Sequence, residues 1–101
     1  MKDLCMNEPP RLSLRVTIIN QLGLHTRAAA KLVGLASRFQ SQIEMVRLDN
    51  GQKANCKSIM ALMLLGVTCE TVVDLYFNGE DNEPARDAIV ALIQNRFGEE
   101  R

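Results

Sequence analysis

Leu12-Ser13-Leu14-Arg15-Val16-Thr17-Ile18-Ile19 opens the part of the chain whose pattern decides the fold. Leu12, Leu14, Val16 and Ile18 share one face and Ser13, Arg15 and Thr17 the other, the period-two alternation of a half-buried strand over 12–19. Asn20 to Gly23 breaks that pattern. Ala29, Leu32, Val33 and Ala36 then recur at helical spacing, which predicts a helix over about 26–38, slightly weakened by Gly34. Further along, Ile43 to Leu48 is β-prone and runs into Asp49-Asn50-Gly51, a hairpin signal because Asn and Gly tolerate positive φ. Strands over 43–48 and about 52–56 are therefore expected to pair. Ser58 opens a short, almost wholly apolar helix, Ile59 to Leu65, which Gly66 ends. Thr71 to Phe77 reads as a fourth strand and Asn78-Gly79 as a turn. Asn82 is the expected cap of a final helix that has Pro84 in its first turn, buries Ala85, Ala88, Ile89, Leu92 and Ile93, and stops at Gly98. The order is βαββαβα. Alternating strands and helices with one apolar stripe each imply an α+β open sandwich, with one helical layer on one face of the sheet.

The chain has 101 residues, which suits one domain. Its 47% apolar and 24% charged residues exclude a disordered or low-complexity chain. The longest apolar run, Ile59 to Val67, falls far short of the roughly 20 residues a spanning helix needs. The opening residues carry Asp3, Glu8 and two prolines where a signal peptide needs an apolar stretch, so a cytoplasmic address is expected. Residues 1–10 read as a flexible extension, 11–98 as the domain and 99–101 as a short tail. Cys5, Cys56 and Cys69 show neither CxxC nor CxxH spacing, which argues against a disulfide framework and a zinc site. They read as reduced, half-buried residues.

Lysines and arginines number 12 and acids 12, for zero net charge, yet the two signs are segregated. Arg11 to Ile43 contains Arg11, Arg15, Arg27, Lys31 and Arg38 and no acid, whereas the chain from Glu70 onward is dominated by acids. A basic face without net positive charge fits an acidic protein partner or a small anion better than nucleic acid. Aromatic residues, at 4% and without tryptophan, leave little surface for stacking bases. A solvated dipolar surface is the plainer account of the same pattern.

The chain has a single histidine, His25, placed where the loop after the first strand turns into the first helix, in Gly23-Leu24-His25-Thr26-Arg27-Ala28-Ala29. A helix start presents unpaired backbone N–H groups and the positive end of the dipole, a combination that binds phosphate and favours a neutral imidazole, as a nitrogen nucleophile must be. The fork of Arg27 suits phosphate oxygens without any metal or cofactor. For a lone histidine a capping or packed ring is the better account, and for a lone arginine a surface cation. No paired carboxylates stand near His25 in the sequence, no Gly-rich nucleotide loop precedes a helix, and no metal set is visible, so an independent enzyme is not expected.

These residues resemble the active-site motif of the histidine-containing phosphocarrier (HPr) family of the bacterial phosphoenolpyruvate-dependent phosphotransferase system. A second match is Asn55-Cys56-Lys57-Ser58-Ile59-Met60-Ala61-Leu62 with Leu65-Gly66, similar to the family's second-helix segment. Thr71-Val72-Val73 and Asn78-Gly79-Glu80-Asp81 resemble its last strand and turn. The likeness runs from about Leu12 to Phe97. It implies a four-stranded antiparallel sheet with three helices on one face. It also implies that a monomer takes a phosphoryl group on His25 Nδ1 from phosphorylated enzyme I and passes it to a IIA domain, with Thr26 and Arg27 holding the phosphate. Ser58 lies where many members carry a serine phosphorylated by an ATP-dependent HPr kinase/phosphorylase, and a plain helix cap explains the same residue fully. The nitrogen-type branch of the family, in which phosphorylation mainly changes which protein is bound, uses the same histidine chemistry. The family usually has proline after the active-site arginine; here Ala28 removes a rigid brace and restores an N–H donor. On the short helix Ala61 and Leu62 are expected to point inward, leaving Ile59, Met60 and Met63 as an apolar patch, with Met60, Met63 and Arg38 facing a partner.

Overall fold

A computed structural model describes residues 10–101. The predicted extension over residues 1–10 therefore lies, but for Pro10, outside the described residues. Four strands, β1 (Arg11–Thr17), β2 (Gln42–Arg47), β3 (Lys53–Asn55) and β4 (Val72–Asn78), form one sheet in the order β1-β4-β2-β3, every neighbouring pair antiparallel. Helices α1 (Thr26–Ala36), α2 (Ile59–Leu65) and α3 (Asn82–Gln94) alternate with them as the periodicity requires. The expected βαββαβα open-faced sandwich, with its three helices on one face, is what the chain forms.

Register explains why the alternation is kept. Leu75 of the central strand β4 lies between Leu14 and Met45, and Met45 in turn faces Ala54. A one-residue slip would turn this row outward, which fixes the pairing. Val73, Leu75 and Phe77 of β4, with Ile43 and Met45, meet Ala28, Ala29, Leu32 and Ala36 of α1 and Ala85, Ile89 and Ile93 of α3 in one buried core. No helix among the described residues is long and apolar enough to cross a membrane.

Three helix ends and one cysteine depart from the sequence reading. Helix α1 stops at Ala36 rather than 38, because the N–H groups of Arg38 and Phe39 bond to Leu35 and Ala36, the three-residue spacing of a tightening last turn. Asn82 is not the cap of α3 but its first residue, and Asp81 precedes it. The Asp81 carboxylate faces the other way, accepting the N–H groups of Gln40 (2.8 Å) and Ser41 (2.9 Å) and the Ser41 hydroxyl. These donors hold its carboxyl below the usual range. Cys56 is fully buried rather than half-buried, because it lies in the core beside α2, and Cys69 is partly exposed; both are free thiols.

Helix α3 also ends before Gly98. Arg96 and Phe97 both take φ near 55° and Gly98 φ 81°, so three consecutive left-handed residues reverse the chain. For the two residues with a Cβ this costs about 1–2 kcal/mol each. The Phe97 ring, completely buried, offsets that cost, since burying a side chain of this size contributes roughly 1.5–3 kcal/mol.

Candidate functional site

His25 is the N-cap residue of α1, extended at φ −76°, ψ −179°, and its side chain makes no capping bond. The ring is thus free of the capping role that its position allowed. Helix geometry leaves the N–H groups of Thr26, Arg27 and Ala28 without an intrahelical carbonyl, since the first closing bond is Ala29 N–H to His25 O at 2.8 Å. Ala28, buried against the core, leaves its backbone N–H among these donors. The loop before the histidine is held rigidly from below. Gly23, at φ +65°, lies so close to the segment after α2 that a Cβ would sit 2.7 Å from Thr68 Cα, and Leu24 N–H donates to Val67 O at 2.9 Å.

The imidazole is 28% exposed and lies in a shallow depression lined by Leu22, Thr26, Arg27, Ala30 and Glu99. Arg27 is exposed and, among the described residues, pairs with no carboxylate. Its guanidinium is therefore available to an incoming anion. Lys31, one turn further along α1, donates instead to Phe97 O at 2.7 Å. Arg38 lies beyond the far end of the helix, separated from His25 by roughly 16 Å of α1. The structure thus brings Thr26 and Arg27 to the histidine and leaves Arg38 apart.

Sequence reasoning missed one member of the site. Glu99, set apart as tail, hydrogen-bonds through its carboxylate to His25 Nε2, and its other oxygen accepts from Asn20 Nδ2 at 3.0 Å. The same Asn20 nitrogen reaches Gly23 O at 2.7 Å, and Gln21 N–H donates to Arg101 O at 3.0 Å. Bonds from His25 and Asn20 hold the Glu99 carboxyl below the usual carboxylate range. Nothing local in the sequence joins residues this far apart; only Gly98, which permits the reversal, hinted that the chain turns there.

Ser58 is the N-cap of α2 and its hydroxyl accepts from Ala61 N–H at 3.2 Å. The far end of that helix is closed by Arg47, which donates to Leu65 O (3.0 Å) and Gly66 O (3.2 Å) while paired with Asp49. Leu62 points inward, fully buried, and Ala61 is half-buried. Met60 (69% exposed), Met63 and Ile59 form the outer surface, joined by Leu64 (80%) and, beside the histidine, Leu22 (68%). Leu64 and Leu22 were not anticipated: an unbroken apolar run hides which of its members face out.

An open-faced sandwich whose one histidine lies half-exposed at a helix start has the anatomy of a small phosphoryl-carrying domain rather than of an enzyme with its own reaction pocket. The model of the PTS HPr component phosphorylation site matches residues 12–95. The phosphocarrier protein HPr of Cupriavidus necator is 52% identical over 83 residues, which are 82% of this chain and 91% of that protein. The phosphocarrier protein NPr of Shewanella violacea is 40% identical over 89 residues, 88% of this chain and 96% of that protein. The crystal structure of HPr-C-His from Thermoanaerobacter tengcongensis superposes with a TM-score of 0.84 at 44% identity, covering 89% of this chain and 99% of that one. The chain belongs to the HPr family of phosphotransferase-system phosphocarriers.

Proposed function

We propose that this chain accepts a phosphoryl group on His25 Nδ1 from phosphorylated enzyme I and delivers it to a IIA domain, in the cytoplasm and as a monomer. The observation that carries this reading is the single histidine at the N-terminus of α1, half-exposed beside the open N–H groups of the helix start and an Arg27 that pairs with no carboxylate among the described residues. In acceptance the Nδ1 lone pair attacks phosphorus, an N–P bond forms, and the bond from phosphorus to the donor breaks. The three phosphoryl oxygens then face the N–H groups of Thr26, Arg27 and Ala28, the Thr26 hydroxyl and the Arg27 fork. No step needs a cofactor. Met60, Met63 and Leu64 supply the apolar surface for enzyme I and IIA, Leu22 extends it to the edge of the site, and Arg27 and Arg38 contribute charge that steers encounter.

The test is incubation with enzyme I and labelled phosphoenolpyruvate. Wild type takes label that is lost in acid and kept in alkali, as a phosphoramidate is, and His25→Ala takes none; equal labelling of both proteins defeats the reading. Arg27→Glu and Arg38→Glu slow transfer steeply at low salt and less at high salt, and rates indifferent to either change remove the steering role.

Ser58 is, on the same reading, the target of an HPr kinase/phosphorylase. A phosphate there keeps company with a helix N-terminus but adds about −1.5 to −2 charges beside Met60, on the surface a partner must approach. Ser58 modified in wild type and not in Ser58→Ala by kinase and ATP supports this, and no modification reduces the residue to a cap. The 40% identity to a protein named NPr favours keeping a nitrogen-type regulatory role as the second reading, in which phosphorylation chiefly selects the bound protein.

A further inference from the structure

Glu99 reaches the active-site ring from the opposite end of the chain, and its approach is built rather than incidental. The left-handed turn at Arg96, Phe97 and Gly98, the buried Phe97 ring, the Lys31 bond to Phe97 O and the Gln21 bond to Arg101 O all hold the last residues against the loop that precedes α1. Asn20, itself fully buried, spends its amide donors on Gly23 O and on Glu99 Oε1, tying the carboxylate to the same loop that places the histidine.

We propose that Glu99 is a positioning residue for phosphoryl acceptance, holding His25 in the tautomer that carries its proton on Nε2 and its lone pair on Nδ1. This deepens the phosphocarrier reading and rests on it. An ionised carboxylate is an acceptor only, so the proton in the His25–Glu99 bond belongs to Nε2. In a neutral imidazole the other nitrogen, Nδ1, then bears the lone pair, and the bond at one nitrogen sets the state of the other. The step balances without proton release. Nδ1 forms the N–P bond, the donor's bond to phosphorus breaks, and the Nε2 proton stays on the ring. The positive charge that the ring gains is met by the Glu99 carboxylate. Glu99 touches neither phosphorus nor donor and acts through His25, much as the third member of a catalytic triad orients its histidine.

The experiment compares wild type, Glu99→Gln, Glu99→Ala and, as a tail carboxylate that makes no contact with the ring, Glu100→Ala. The first readout is the ring nitrogen NMR spectrum of the single histidine in mildly alkaline buffer, which needs no phosphoryl donor. Wild type and Glu99→Gln, which keeps an acceptor oxygen, show the proton on Nε2, whereas Glu99→Ala moves both nitrogens toward a tautomer average. The second readout is the initial rate of labelling by enzyme I and phosphoenolpyruvate. Glu99→Ala loses about 10–100-fold, the range found when the partner that orients a metal-bound histidine is removed; Glu99→Gln lies between it and wild type, and Glu100→Ala matches wild type. A wild-type ring protonated on Nδ1 overturns the proposal. So does a Glu99→Ala protein, folded by its amide spectrum, in which either readout is unmoved. Wild type that takes no label defeats the phosphocarrier reading instead, and the ring spectra still decide whether Glu99 sets the tautomer.

Discussion

Replacing Gly23 with alanine adds one methyl group where the structure has no room for it. The new Cβ would stand 2.7 Å from Thr68 Cα, 2.8 Å from Val67 O and 3.0 Å from Thr68 C, all backbone atoms that cannot rotate aside. At φ +65° the substituted residue also carries the left-handed penalty of about 1–2 kcal/mol. Relief of the overlap has to come from movement of the chain, at about 1–3 kcal/mol, for a total near 2–5 kcal/mol. At roughly 4–8 °C per kcal/mol for a domain of this size, Tm falls on the order of 10–40 °C. Gly34→Ala is the matched control: it lies within α1 with nothing inside 4 Å of its Cβ, and the same change there stabilises by about 0.5–1 kcal/mol. Thermal melts by circular dichroism, run side by side, read both signs. Labelling by enzyme I, measured well below the lower Tm, should slow for Gly23→Ala because the displaced loop carries His25, and remain normal for Gly34→Ala. A Gly23→Ala protein that melts with the wild type would refute the argument that close backbone approach holds the site.

Three further outcomes are expected. Ser58→Ala loses the bond to Ala61 N–H and about 1 kcal/mol, visible as a drop of a few degrees in Tm, whereas Ser58→Asp keeps a capping oxygen and melts near wild type while docking more weakly. In the native protein a thiol alkylating reagent modifies Cys69 well before Cys56, whose thiol is buried and pushed up to about 12; mass spectrometry of partially modified protein reads the order, and denaturation abolishes it. Asp81, with its carboxyl held low by Ser41 and Gln40, contributes stability that is complete above its unfolded pKa of about 3.9 and is lost as pH falls through the lower folded value. The Tm difference between wild type and Asp81→Asn is therefore full at neutral pH and closes in strong acid.

β1, α1 and α3 were legible in the sequence because each carries a period, two for Leu12 to Ile18 and about 3.6 for Ala29 to Ala36 and Ala85 to Ile93; β2 and β3 were legible from the Asn50-Gly51 turn between them, α2 from Ser58 and Gly66 at its ends, and the turn at Arg96–Gly98 was not. That His25 and Arg27 stand together at a helix start was legible from the break after β1 and the helical spacing that follows it. The ends of helices were less so. Whether Asp81 or Asn82 caps α3 depends on Gln40 and Ser41, from a loop half a chain away, and periodicity carries no such information. Glu99 failed to show for the same reason on a larger scale: its partner is reached only after a buried Phe97 and a left-handed turn fold the chain back. Leu64 lay hidden among apolar neighbours, since composition does not tell a core leucine from an exposed one.

The central strand of the sheet is the last to be made. β2 and β3 are joined by a short turn, but β1 and β2 each have β4 as neighbour, and β4 leaves the ribosome only after some sixty residues have followed the first strand. Until then β1 has nothing to pair with, and the long loop closure it awaits is what slows folding of such topologies. The loop bearing His25 is braced by Val67 and Thr68, next to β4, and by the residues beyond Phe97. A chain that has not yet reached Glu99 therefore contains the histidine without the carboxylate that meets its ring.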